Sequence, residues 1–151
     1  MLQLLFSLSL VLSTHAGPPV SWNFSSQVDD DGTVQLRLEA VAEEGWHIYA
    51  TELENELGPI PTTVRFKPSK DHELLGALVE PVPMEEFDPN FEMQVRYHSG
   101  KPVFTQRIKP FTSGSFVVEG EVEYMVCNDV TCLPPTAVPF RIGVPAQAPK
   151  P

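Results

Sequence analysis

Short runs of alternating apolar and polar residues, separated by turn residues, constrain this chain more than any other feature of its sequence. The clearest run covers residues 33–42, where Val34, Leu36, Leu38 and Ala40 alternate with polar side chains. This period of two is typical of a strand with one buried face. No window has a helical period over ten or more residues, so the sequence predicts an all-β protein.

The segment before this strand predicts its partner. Asp31 and Gly32 form a turn signal, and residues 20–28 carry Trp22 and Phe24 in phase on one face. We therefore expect the two strands to form a hairpin.

Further runs of strand character follow, each bounded by turn residues: 46–49, 62–66, 74–79, 91–97, 103–108, 115–126 and 137–144. Together with 16 prolines and 9 glycines, this pattern predicts an antiparallel β-sandwich. Residues 52–61 and 82–89 are predicted to be long, proline-bearing loops, a kind of segment that often carries function.

The start of the chain predicts export. Residues 4–12 are largely apolar and are followed by the small residues Ser13, Thr14 and Ala16, so residues 1–16 are predicted to be a signal peptide cut after Ala16. The apolar segment is too short to cross roughly 30 Å of hydrocarbon, and we expect no membrane span elsewhere. Residues 17–144 are then one domain, and the proline-rich residues 145–151 a disordered tail or linker.

The charge of the chain limits its partners. Twenty acidic and ten basic side chains give a formal net charge of -10. A surface this acidic repels the phosphates of nucleic acids and disfavours binding to anionic lipid. Proteins, small molecules or metals are the partners that the composition leaves open.

The two cysteines are close together in the sequence. Cys127 ends a predicted strand and Cys132 lies in the following turn, so a disulfide between them would close a loop of only six residues. Such a loop contributes about 2 kcal/mol of chain-entropy stabilisation, against about 4.7 kcal/mol for a loop of a hundred residues. The pair is therefore poorly placed as a stabiliser, and a tight loop favours an easily reduced, redox-active disulfide. On spacing alone, a structural disulfide in an exported binding or adhesion module is an equally good interpretation.

The surroundings of the cysteines predict reactivity that depends on a partner. Asp129 lies between them and no Lys or Arg does, and a nearby carboxylate disfavours a thiolate. We therefore expect slow reaction in free solution and exchange only when a docked partner attacks the disulfide.

The sequence supports two other kinds of site less well than a redox pair. His47, His98, Cys127 and Cys132 have the ligand types of a zinc site, but nothing in the sequence places His98 beside the cysteines. We therefore expect neither a metal nor a cofactor. The motifs of hydrolases and phosphate-binding loops are also missing from the sequence.

Three segments resemble the amino-terminal periplasmic domain of the DsbD-type thiol:disulfide interchange proteins. They are GWHIY at 45–49, EEF at 85–87 and residues 124–139, which contain both cysteines followed by Leu-Pro-Pro. The segments occur in the order of the family, and the resemblance covers nearly the whole chain after residue 16.

The resemblance implies a fold, a location and an activity. The fold would be an immunoglobulin-like antiparallel β-sandwich and the location the periplasm. The domain would accept electrons from a thioredoxin-like donor domain and pass them to a periplasmic disulfide isomerase or another thioredoxin-fold acceptor, as a component of a protein-disulfide reductase.

The resemblance also implies roles for individual residues. Cys127 and Cys132 would be the redox pair, with Cys132 facing the partner. Phe87 would be the cap that shields the pair until a partner docks, with Phe91 as a competing candidate in the same segment. Tyr49, and less directly His47, would line the site.

Overall fold

The chain folds into antiparallel strands joined by turns and loops. The structure is a computed structural model that describes residues 17–54 and 57–148, and this described part contains eleven strands and no helix. The strands are β1 (Val20–Val28), β2 (Val34–Ala42), β3 (His47–Tyr49), β4 (Thr63–Phe66), β5 (His72–Val79), β6 (Met84–Asp88), β7 (Met93–Ser99), β8 (Val103–Pro110), β9 (Phe116–Tyr124), β10 (Val126–Cys127) and β11 (Thr136–Val144).

The strands form three sheets with the orders β1-β2-β8-β5, β11-β9-β4 and β10-β3-β7-β6. The predicted first hairpin is confirmed, since β1 pairs with β2 over its whole length from Val20 opposite Ala42 to Val28 opposite Val34. Its turn contains Gly32 at φ 85°, a conformation that glycine adopts without steric cost.

The alternating residues build the main core. In β2, Val34, Leu36, Leu38 and Ala40 are all fully buried, and they pack in one cluster with residues of β8, β9 and β11. Trp22 of β1 joins this cluster as a partly buried side chain. Because burial follows the period of two, these faces were predictable from the sequence alone.

The structure corrects the prediction of a loop over residues 82–89. Residues Met84–Asp88 form β6, which pairs with β7 at the edge of its sheet. Four of its five side chains are exposed, so the strand lacks the apolar alternation on which the prediction depended. Its glutamates suit an edge strand, because charged side chains there discourage pairing with other chains.

The run predicted as one strand over residues 115–126 is two strands. The chain leaves the β11-β9-β4 sheet after Tyr124 and enters the β10-β3-β7-β6 sheet at Val126. A change of sheet depends on long-range pairing that the local alternation does not encode. As a result, Cys127 belongs to the β10-β3-β7-β6 sheet, whereas most of the run belongs to the β11-β9-β4 sheet.

Both ends of the chain extend beyond the described part. The predicted signal peptide and residues 149–151 of the predicted tail lie outside it, while the backbone N–H of Gln147 donates to the carbonyl of Ser113 at 2.9 Å. Within residues 17–54 and 57–148, no helix has the length and apolar character needed to cross a membrane.

Close packing at Gly120 gives a test of the fold. Gly120 lies in β9 between β4 and β11, and a Cβ atom there would overlap the carbonyl oxygen of Arg65 and the ring of Phe140. Gly120→Ala should lower the free energy of unfolding by about 1–3 kcal/mol, because the neighbours must move. Urea denaturation followed by tryptophan fluorescence measures the change.

Gly143 of β11 is the matched control for this substitution. A Cβ atom at Gly143 would have no heavy atom within 4 Å outside its chain neighbours. Gly143→Ala should therefore change the free energy of unfolding by less than about 0.5 kcal/mol. Equal losses in the two variants would contradict the packing described at Gly120.

Candidate redox site

The change of sheet after Tyr124 brings the cysteines to β3. Strand β10 pairs with β3, so that Val126 lies opposite Ile48 and Cys127 opposite His47. Cys127 also forms an antiparallel bridge with Cys132, and their sulfurs are bonded at 2.02 Å. The two cysteines are thus opposite residues of a very short hairpin.

Asn128 fixes the turn of this hairpin. Its backbone N–H donates to the carbonyl of Thr131 at 2.9 Å, and its Oδ1 accepts from the N–H groups of Val130 and Thr131 at 2.9 and 2.8 Å. An asparagine side chain that bonds the backbone two residues ahead is a common device in tight turns. The cysteine pair is therefore held by local hydrogen bonds.

The two cysteines differ in exposure. Cys127 is 0% exposed, whereas Cys132 is only partly buried. Cys127 forms a small cluster with Tyr49 and Val95, separate from the main core, and Phe91 and Cys132 pack against this cluster. Cys127 therefore lies in the interior, whereas Cys132 is in contact with solvent.

The loop after β6 reaches the hairpin. The side-chain nitrogen Nδ2 of Asn90 donates to the carbonyl of Asn128 at 2.8 Å, and the backbone N–H of Asn90 donates to Oδ1 of Asp88 at 2.7 Å. Phe91 follows and contacts Tyr49 edge-on, with ring centroids 6.0 Å apart. Phe87, in contrast, is 54% exposed and is not part of the cluster.

A buried carboxylate links this loop to β3. The hydroxyl of Tyr49 donates to Oδ2 of Asp88 at 2.5 Å, and Nε2 of His47 lies 3.4 Å from that hydroxyl and 3.8 Å from Oδ2. Asp88 is 4% exposed. Asp88 was not predicted from the sequence, although its position beside the predicted cap residue was a possible signal.

Burial sets the protonation of the two side chains on β3. It raises the pKa of Tyr49, and the hydrogen bond to Asp88 raises it further, so the phenol remains a donor at neutral pH. Burial also lowers the pKa of His47, although the carboxylates of Asp88 and Asp129 act in the opposite direction. The His47 ring is therefore mainly neutral at pH 7.

A pocket of about 240 Å³ opens beside the hairpin. The residues that line it include His47 and Tyr97, whose ring centroids are 4.9 Å apart, and the acidic residues Glu86 and Asp129. The hydroxyl of Tyr97 donates to Glu86 at 2.6 Å, and this bond, with burial, raises the pKa of Tyr97 to about 12. The lining of the pocket thus combines aromatic and acidic residues.

The structure places His98 elsewhere. Nε2 of His98 lies 2.9 Å from Glu80, and Thr51 donates to the same carboxylate through its backbone N–H and its hydroxyl. Burial by itself raises the pKa of Glu80, but the hydrogen bonds from His98 and Thr51 together lower it. Among the residues that the structure describes, no three His, Cys, Asp or Glu side chains are grouped as a metal site requires.

The predicted site residues are therefore largely in one place. His47, Tyr49 and Phe91 surround the pair formed by Cys127 and Cys132. Phe87 stands at the rim of the adjoining pocket.

Comparisons with known proteins agree with this arrangement. The family model described as "Thiol:disulfide interchange protein DsbD, N-terminal" matches residues 17–142. No curated protein matches the sequence significantly.

Solved structures of the same type resemble the fold. The reduced DsbD N-terminal domain of Neisseria meningitidis has a TM-score of 0.53 at 18% identity, covering 80% of this chain and 82% of that one. The complex of the DsbD and PilB N-terminal domains from the same organism has a TM-score of 0.55 at 14% identity, covering 85% and 88%.

A third structure extends the likeness to another bacterium. The N-terminal periplasmic domain of ScsB from Proteus mirabilis has a TM-score of 0.54 at 17% identity, covering 85% of this chain and 48% of that one. The fold expected from the resemblance, an immunoglobulin-like antiparallel β-sandwich, is confirmed. The family match over residues 17–142 establishes that this chain belongs to the family of DsbD N-terminal domains.

Proposed function

We propose that this chain is a periplasmic thiol:disulfide exchange domain that accepts electrons from a thioredoxin-like donor and reduces other exported proteins. The observation that carries the proposal is the asymmetry of the disulfide, in which Cys132 borders solvent while Cys127 is fully buried. Such a pair offers one sulfur to a partner and keeps the other for resolution. Membership of the DsbD N-terminal family supports the same chemistry.

Reduction of the pair begins at Cys132. A thiolate of the donor attacks Sγ of Cys132, the bond between Cys132 and Cys127 breaks, and the electron pair leaves on Sγ of Cys127. A mixed disulfide now joins the donor to Cys132. Because Cys127 lies in an apolar and aromatic cluster, its thiolate is costly there until it takes up a proton.

A second step releases the donor. The other thiolate of the donor attacks the donor sulfur of the mixed disulfide, so that the donor leaves as a disulfide and has lost two electrons. Cys127 and Cys132 are then both reduced. With an oxidised acceptor, Cys132 attacks and Cys127 resolves, and the hairpin makes this resolution intramolecular.

The loop after β6 is the cap of the site. Phe91 is its aromatic residue and packs on the cluster that contains Cys127, while the exposed Phe87 lies just before the loop, in β6. The hydrogen bond from Asn90 to Asn128 fastens the loop to the cysteine hairpin. A partner must displace this loop before attack, which keeps the free disulfide slow to react.

The proposed donor is a thioredoxin-fold protein, and the proposed acceptor is a periplasmic disulfide isomerase or another thioredoxin-fold protein. The Neisseria meningitidis complex, in which a DsbD N-terminal domain is solved with a PilB N-terminal domain, supports a protein partner. The Proteus mirabilis relative is described as periplasmic, and a signal peptide at residues 1–16 would send this chain to the same compartment.

Single-cysteine variants test which sulfur meets the partner. Cys127→Ser, which retains Cys132, should attack a thioredoxin activated at its only remaining cysteine with thionitrobenzoate at least about tenfold faster than Cys132→Ser does, because Cys127 is buried. Release of thionitrobenzoate gives the rate, and mass spectrometry identifies the mixed disulfide.

Thermal unfolding of both variants checks that each is folded, and the double Cys→Ser variant gives the background. Equal rates for two folded variants would contradict the assignment of Cys132 as the partner-facing residue. No mixed disulfide with either variant would contradict exchange with a thioredoxin-fold partner.

Substitution of the two cap aromatics tests the shield. Phe91→Ala should speed reduction of the disulfide by 2-mercaptoethanol about tenfold, and Phe87→Ala less, because exchange rates depend on access to the sulfur and Phe91 packs on the cysteine cluster. Phe111→Ala, which removes a 57% exposed ring outside this loop, is the control and should leave the rate unchanged. Unchanged rates in both cap variants would show that this loop does not shield the pair.

A further inference from the structure

The pocket beside the cysteine hairpin is part of the surface that a partner must cover. Asp129, which lines it, lies between the two cysteines in the sequence, and His47, which also lines it, is paired with Cys127. A protein that contacts Cys132 is therefore also close to this pocket.

The lining of the pocket combines aromatic faces with negative charge. His47 and Tyr97 supply rings whose centroids are 4.9 Å apart, and Glu86 and Asp129 supply carboxylates, while no Lys or Arg is among the lining residues that the structure describes. Tyr97 is only partly buried, so part of its surface is exposed beside the cysteine hairpin. Exposed aromatic surface beside a reactive group is typical of a contact site.

The two carboxylates of the pocket differ in their partners within the described part of the chain. Glu86 accepts a hydrogen bond from Tyr97. Asp129 is exposed, and within the described residues it acts on His47 and Tyr97 only through its charge, with no hydrogen bond or ion pair. A carboxylate without such a partner, close to an aromatic side chain, is complementary to a cation.

We propose that this pocket receives a lysine or arginine side chain of the redox partner, on a basic surface next to the attacking cysteine. The inference rests on the proposed function and names the partner's chemistry at the same site. A long basic side chain matches both features of the pocket, since its head can pair with Asp129 while its stem and charge lie against the ring of Tyr97.

This contact has a consequence for the exchange reaction. The carboxylate of Asp129 lies next to the disulfide and by itself repels an attacking thiolate. The attraction between Asp129 and a basic residue of the partner brings the thiolate towards the disulfide. A basic residue in the pocket offsets that repulsion. Selectivity for basic partners then comes from Asp129 and Tyr97, outside the pair that carries the electrons.

Three peptide thiols test the proposal: acetyl-Cys-Gly-Lys-amide and the same peptide with Gln or Glu in place of Lys. Each rate of reduction of the oxidised protein is divided by the rate with bis(2-hydroxyethyl) disulfide, which corrects for the intrinsic reactivity of each thiol. At low salt, the Lys peptide should exceed the Gln peptide by roughly three- to tenfold and the Glu peptide by more. Half-molar salt should reduce the advantage.

Variants of the protein show which residues cause the preference for the Lys peptide. Asp129→Asn and Tyr97→Leu should each lose most of the advantage of the Lys peptide, whatever Tyr97→Leu does to the rate of the neutral peptide. Asp30→Asn is the matched control, because it removes the same charge from an exposed position far from the pocket. Asp30 lies in the turn before β2, and the segment that leads to β3 follows the other end of that nine-residue strand. It should retain the advantage.

Equal corrected rates for the three peptides, or equal losses in Asp129→Asn and Asp30→Asn, would overturn the proposal. A second measurement separates it from the proposed function: Ser-Gly-Lys and Ser-Gly-Gln peptides are titrated into the oxidised protein while backbone amide signals are followed. Selective shifts at Asp129 and Tyr97 with the Lys peptide support the pocket even if no thiol reduces the disulfide, and their absence counts against it.

Discussion

The pairing of β10 with β3 is the interaction on which the rest of the site depends. It opposes Cys127 to His47, and it forms only because the chain leaves one sheet after Tyr124 and joins another at Val126. Without this crossing, the cysteine hairpin would extend from the β11-β9-β4 sheet, away from Tyr49. The redox pair is therefore a product of the junction between two sheets, where backbone pairing fixes one cysteine in the interior and leaves the other at the surface.

A second set of interactions connects this junction to the loop above it. The hydroxyl of Tyr49 binds Asp88, Asp88 binds the backbone of Asn90, and the side chain of Asn90 binds the carbonyl of Asn128, beside Cys127. Four residues thus join β3, the cap loop and the cysteine turn through three hydrogen bonds. Lifting the loop from the cysteine turn breaks the bond from Asn90 to Asn128, which suits a shield that a docking partner must move.

The parts of the structure that depend on local pattern could be predicted from the sequence. The buried face of β2 and the first hairpin follow from alternation and a turn signal, and the family resemblance led to the cysteines and to Tyr49. The exposed edge strand β6 and the break after Tyr124 could not be predicted, because both are decided by backbone pairing with distant segments. Asp88 was missed for a related reason, since a single carboxylate acquires its role only from the buried phenol opposite it.

The reduction potential of the Cys127–Cys132 disulfide tests the central claim most directly. The protein, lacking residues 1–16, is equilibrated in graded thiol redox buffers, and free thiols are counted by alkylation and mass. The account predicts a value between about -180 and -270 mV, the range of proteins that exchange disulfides. A value below about -300 mV would mark a structural disulfide that physiological reductants do not open, and would favour a binding module over a redox domain.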